Sequence, residues 1–197
     1  MSIAPAPACD IFEKLRDCTS EIHRRIEERV PVFRSDFARA DYVRLIELFY
    51  GFWGPLEAEL SRSDFLREES LDLGGRLKGA LLQKDLRFLG RDPASVPRCG
   101  KLPAVDTFQR GLGCLYVMEG STLGARIISR RLEEHLQLAD GSGASFFNAY
   151  GAGTGRNWNA FRSYVIARVT VEDSTEIVTA AQQTFENFFE WLGTADY

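Results

Sequence analysis

The chain has only two histidines in 197 residues, so the search for a metal or acid–base centre is short. His23 stands in KLRDCTSEIHRRIEE, with Arg16 two helical turns before it and Glu27 one turn after it. On a helix these three share a face. A neutral imidazole can bind a metal through one ring nitrogen while the other donates to an acceptor, and Glu27 at i+4 is placed to be that acceptor, directly or through water. The planar guanidinium of Arg16 suits a carboxylate. An iron porphyrin, with one open axial position and carboxylates along one edge, would use all three. The same spacing also describes an exposed His–Glu pair worth about 0.5 kcal/mol. His135, in LEEHLQL near a helix end, suits the helix dipole and reads as a surface residue.

Two further segments could contribute. GLGCLYVMEGSTLGARII places Gly111, Gly113, Gly120 and Gly124 inside a helical pattern. Each interior glycine costs roughly 1 kcal/mol relative to alanine, so four of them require a reason. Gly120 and Gly124 form a small-xxx-small face for close helix packing, or else a wall without Cβ atoms that can lie against a large planar ligand. In RNWNAFRSYV, Arg162 is flanked by Trp158 and Phe161. Those rings could line a pocket mouth while Arg162 meets an anion; an amphipathic helix with an exposed arginine fits equally.

Composition limits the partners. A net charge of −4, a pI near 5.3 and the lack of any long Lys/Arg block argue against nucleic-acid binding. No apolar run approaches the ~20 residues that span a bilayer, and MSIAPAPACD is not a signal peptide but a short disordered leader over residues 1–9. Cys9, Cys18, Cys99 and Cys114 are scattered with no CxxC pair, which suggests reduced thiols in a cytoplasmic protein, Cys18 and Cys114 serving as small core residues.

The elements that must position these residues are helical throughout. Ile11, Leu15, Ile22 and Ile26 give one apolar face over about Asp10–Arg29, ended by Pro31. A second helix is predicted from Asp41 as N-cap, with Pro55 kinking it or opening a new segment. A third is predicted over Leu71–Leu89, with Leu73, Leu77, Leu81 and Leu82 facing inward. A Pro-rich loop then covers Gly90–Pro103. A long fourth helix follows over Asp106–Leu138, closed by the GSG at 141–143. A fifth is predicted over Arg156–Val169 and a last over Val171–Leu192. No segment alternates as a strand would. The reading is one all-α domain over residues 10–197.

Taken together, these segments resemble the haem oxygenases, most closely the bacterial group that supplies biliverdin to bacteriophytochromes. The pattern LR-x-x-T-x-x-x-H-x-x-x-E is present as Leu15, Arg16, Thr19, His23 and Glu27, and YVMEGSTLG, Tyr116 to Gly124, resembles the family's glycine-rich distal helix. The resemblance implies a helical bundle with haem between the first helix and that distal helix. His23 would be the proximal iron ligand oriented by Glu27. Arg16, Thr19, Tyr116 and Arg162 would hold the haem, with Arg162 closing the propionate site, and Gly120, Ser121 and Gly124 would form the reactive distal face. Haem b would be both cofactor and substrate, opened by O2 to biliverdin with release of iron and CO, and the bilin passed to a bacteriophytochrome. Electrons would come from a ferredoxin or flavin-dependent reductase, because the chain has no flavin or nicotinamide fingerprint.

The sequence departs from the family at Ser121, where many members carry an aspartate that holds the distal water network. A hydroxyl can still organise water. Two other readings compete: a thiaminase-like helical hydrolase, for which Cys114 would be the nucleophile, and a non-catalytic haem or tetrapyrrole carrier.

Overall fold

A computed structural model describes residues 11–67 and 71–194; the expected leader over 1–9, with Cys9, lies outside them. Helix α1 runs Ile11–Arg29, α2 Arg39–Arg62, α3 Asp64–Arg67, α4 Gly79–Phe88, α5 Phe108–Leu136, α6 Thr154–Ile166 and α7 Ser174–Leu192. There is no strand among the described residues, so the all-α expectation holds.

Helix α7 is the hub, packing most extensively on α5 and on α1. A Cβ on Gly113 would lie 2.4 Å from the Ile177 carbonyl oxygen and 2.7 Å from the Ala180 Cβ, and one on Gly111 would meet Leu66 at 2.8 Å. These two glycines are therefore what lets α7 and α3 sit against α5. Cys114, beside them, is fully buried, whereas Cys18 is exposed rather than a core residue.

Helix α2 begins at Arg39, earlier than its sequence suggests. Asp41 is not the N-cap but the third helical residue, and its carboxylate accepts from the Ala38 N–H at 2.8 Å. Pro55 neither breaks nor ends α2. It cannot donate to the Gly51 carbonyl four residues back, and the Cys99 N–H takes that acceptor at 2.9 Å instead. The Pro-rich loop is thereby fastened to α2 at a notch where a Cβ on Gly51 would meet the Pro97 carbonyl at 2.6 Å.

The predicted third helix is corrected most. Only Gly79–Phe88 is α-helical, while Gly74–Arg76 is a 3-10 turn and Leu77 is extended. Donors of this segment go to carboxylates outside a helical ladder. Gly75 N–H bonds Asp72, Lys78 and Gly79 N–H bond Glu57 at 2.6 and 2.7 Å, and the Arg76 and Lys78 side chains reach Glu119. Leu73 and Leu82 are buried as predicted; Leu77 and Leu81 are half-buried.

The remaining boundaries shift by a few residues. Thr107 caps α5, its hydroxyl accepting from Arg110 N–H, and Gln137 closes it in the left-handed region at φ 57°. The GSG forms the turn after that closure, with Gly141 and Gly143 at positive φ. Helix α6 starts at Thr154, ahead of the predicted Arg156. Helix α7 starts at Ser174 because Asp173 holds Thr170 N–H and hydroxyl at 2.7 Å in a preceding turn.

The two glycine pairs of α5 should respond oppositely to alanine. In open space, Gly→Ala within a helix gains up to about 1 kcal/mol. Gly124→Ala, where an added Cβ meets nothing within 4 Å, should show that gain. Gly113→Ala should instead lose about 1–3 kcal/mol as α7 is forced away. Urea unfolding of both variants checks this; equal responses would mean the α5–α7 approach is not limited at Gly113.

Candidate functional site

Where α5 draws away from α1, the two helices leave a cavity of about 1090 Å³ between them, at the upper end of the roughly 300–1,000 Å³ common for small-molecule sites. All nine residues that the family resemblance assigns to the site border it: Arg16, Thr19, His23 and Glu27 from α1, Tyr116, Gly120, Ser121 and Gly124 from α5, and Arg162 from α6. His135 does not. It is exposed, with Nε2 at 3.1 Å from the Phe37 carbonyl.

On the α1 side, His23 is nearly half exposed and its Nδ1 lies 3.7 Å from Glu27 Oε1. That separation is too long for a direct hydrogen bond and short enough for an ion pair or a bridging water. With Nδ1 toward Glu27, Nε2 is the nitrogen left for a ligand. The ring stands edge-on to Phe185, centroids 5.6 Å apart, which limits its rotation.

On the α5 side, Gly124 has nothing within 4 Å of an added Cβ, and Gly120 only the edge of Trp158 at 3.9 Å. The glycine question left by the sequence thus has two answers on one helix. Gly111 and Gly113 serve packing, whereas Gly120 and Gly124 leave a bare wall on the cavity. Ser121, between them, donates its hydroxyl proton back to the Met118 carbonyl at 2.8 Å. Toward the cavity it therefore offers lone pairs and no proton.

Arg16 and Arg162 lie at the end lined by Phe12 and Tyr116. The Arg162 guanidinium lies over the Phe12 ring at 4.9 Å, and Phe12 in turn meets Tyr116 and Trp158 at 6.1 and 5.7 Å. Thr19, which faces Tyr116, donates its hydroxyl proton to the Leu15 carbonyl at 2.7 Å. Burial pushes the Tyr116 phenol up, against the opposing influence of Thr19 and the charge of Arg16. Arg16 is two-thirds exposed, its Nε 3.2 Å from Asp17. Phe161 is fully buried behind Trp158 rather than at the mouth.

Sequence reasoning missed the floor. Phe49 on α2, Phe188 on α7 and the pair Phe146 and Phe147 interlock at centroid distances of 5.1–5.7 Å. Asp85 aims the pair by accepting from Ser145 and Phe146 N–H at 2.9 and 2.8 Å. An FF doublet just after a glycine turn was the available signal. Lys78 also lines the cavity, and the leucine spacing of its segment hides it, because that spacing predicts an uninterrupted helix. Charged groups lie at one end and along α1, most of the remaining lining is apolar, and the α5 wall has gaps without Cβ atoms at Gly120 and Gly124. Such a slot fits a flat apolar ring with carboxylates on one edge.

A model of the heme oxygenase family matches residues 9–194. The chain belongs to the haem oxygenase family. Heme oxygenase PigA of Pseudomonas aeruginosa is 26% identical over 182 residues, covering 91% of this chain and 90% of that protein. Among solved structures, the NO- and CO-bound heme oxygenase of Neisseria meningitidis superposes with a TM-score of 0.81 at 21% identity, over 95% of this chain and 92% of that one. Heme oxygenase from Leptospira interrogans gives 0.73 at 20% identity, over 94% and 100%. Both share the fold of α1–α7. Among the described residues, no helix is long and apolar enough to cross a membrane, and no cluster of His, Cys, Asp and Glu could hold a bare metal ion. In a haem oxygenase the iron would instead arrive inside its ring.

The hydrolase reading fails on Cys114. The thiol is fully buried, does not border the cavity, and burial pushes it up to about 11. A thiol held protonated is a poor nucleophile. Peptide mapping after brief treatment of the native protein with iodoacetamide should find Cys18 alkylated and Cys114 intact; rapid modification of Cys114 would restore that reading.

Proposed function

We propose that this chain opens haem to biliverdin, with release of iron and CO, using O2 and electrons from a separate ferredoxin or flavin-dependent reductase. The observation that carries the reading is the pairing across one cavity of His23 on α1 with the bare Gly120–Gly124 wall of α5. A histidine on one side fits axial ligation of iron, and a wall without Cβ atoms fits a planar ring. Haem b is the substrate that matches this slot. Bound haem supplies both the iron at which O2 is activated and the ring carbon that is attacked.

The residues of the chain then have separate tasks. His23 binds through Nε2 while Glu27 fixes the ring through Nδ1. Arg16, Arg162 and Tyr116, gathered at one end, take the propionates by charge-assisted hydrogen bonds. Thr19 lines the same end beside Tyr116. The phenylalanine floor excludes water from the apolar part of the ring. Gly120 and Gly124 leave room above the other haem face, and Ser121 accepts a hydrogen bond from water there, a task that a carboxylate performs in many relatives. Supply of the bilin to a bacteriophytochrome fits this activity.

Mixing the protein with hemin should give a Soret band that decays to a broad red biliverdin absorption on adding ascorbate in air. His23→Ala should lose both, with recovery by added imidazole. A Soret band that persists unchanged under reductant would make the protein a haem carrier, and one that survives His23→Ala would move the ligand elsewhere.

The propionate assignment makes a separate prediction. Each charge-assisted bond is worth about 1.5–3 kcal/mol, enough to favour one seating by tenfold or more. The α-isomer should dominate in wild type, and Arg16→Ala and Arg162→Ala should each broaden the mixture of biliverdin isomers resolved by chromatography. Identical mixtures in all three would assign the seating to the apolar walls.

A further inference from the structure

Behind the Gly120 wall lies a buried ionic cluster that the functions above do not use. Glu119, one residue before Gly120, is fully buried. One carboxylate oxygen accepts from the Tyr150 hydroxyl at 2.6 Å and from Lys78 Nζ at 3.1 Å, and the other from the Arg76 guanidinium at 2.9 Å. Lys78 Nζ also donates to the Arg76 carbonyl and the Tyr150 hydroxyl, so its three protons are committed. It has no proton left to offer the cavity. Glu57 balances the second cation while holding the Lys78 and Gly79 amides. The formal charges of Arg76, Lys78, Glu57 and Glu119 cancel, and Lys78 has no spare donor to direct at a ligand.

The geometry of the cluster leads instead to α6. Tyr150 begins the turn that enters that helix, its carbonyl accepting from Gly153 N–H at 2.7 Å. Further along α6, the Arg76 guanidinium lies over the Phe161 ring at 5.5 Å, and Phe161 is the neighbour of Arg162. One carboxylate on α5 therefore grips α6 at its entry and at its middle. Arg76 Nε is buried and makes no hydrogen bond to a protein group.

We propose that Glu119 is a positioning residue: through Tyr150 and Arg76 it sets where α6 carries Arg162 relative to the Gly120 wall, and so fixes the rotation of the bound ring. The inference rests on the haem reading above. Tyr150→Phe removes one hydroxyl and no charge; Glu119→Gln keeps the shape and removes the anion.

The test is proton NMR of the hemin-loaded ferric protein, where the two seatings of the ring give separate methyl signals. Both variants should keep a Soret band and change the ratio of seatings about threefold or more in the direction of Arg162→Ala. Added to Arg162→Ala, Tyr150→Phe should change nothing further, because the two act along one route. If Glu119→Gln does not fold, Tyr150→Phe decides alone. An unchanged ratio in Tyr150→Phe with an intact Soret band overturns this inference and leaves the haem reading standing, as does a shift of full size on the Arg162→Ala background. Absence of a Soret band from wild type overturns both.

Discussion

A slot for a flat ring can persist only if the two helices that form it are kept from collapsing onto each other. Here that constraint is met by a third helix. α7 packs along both α1 and α5, and its tight contact at Gly113 against Ile177 and Ala180 lies one turn of α5 before Tyr116, where the slot begins. The glycines divide accordingly. Those near the start of α5 are filled by neighbours, and those in its middle face empty space. Four interior glycines weaken a helix by several times the roughly 1 kcal/mol of a single one, and burial of α5 against α7 must offset that.

The rest of the site is attached to this frame by buried carboxylates. Asp85 aims Phe146 and Phe147 at the floor, Glu57 holds the start of α4, and Glu119 joins α5 to the entry of α6. Burial pushes the carboxyls of Glu57 and Asp85 up, and the backbone amides they accept from pull in the opposite direction. Each tie replaces a regular ladder with a single acceptor of several donors. This is how segments too short for helices can hold side chains at fixed places around an apolar cavity.

Much of the helical frame was legible because α1 and α7 carry clear apolar periodicity, and α5 is a long helix-compatible run between a Pro-rich loop and a glycine turn. The site residues of α1 were legible for the same reason, since spacing on one helix fixes a shared face. What escaped was set by contacts between distant segments. The stretch from Leu71 to Lys78 has the leucine spacing of a helix, yet its donors are drawn to Asp72, Glu57 and Glu119. Pro55 has the look of a break, but the Cys99 amide takes the carbonyl it leaves unpaired. Phe146 and Phe147 belong to no periodic element, so the doublet after a glycine turn was their one signal, and it does not say what the rings face. The glycine ambiguity of α5 could not be resolved without knowing which face meets α7.

The central claim is that the space between α1 and α5 seats haem with its iron toward His23 and its carboxylates toward Arg16 and Arg162. A crystal structure of the hemin-loaded protein tests it most directly. The account predicts iron bound by His23 Nε2, the opposite ring face bare against Gly120 and Gly124, and both propionates at the end lined by Tyr116 and Arg162. A ring bound outside this slot, or one inside it with its propionates at the Phe33 and Ile127 end, would contradict it.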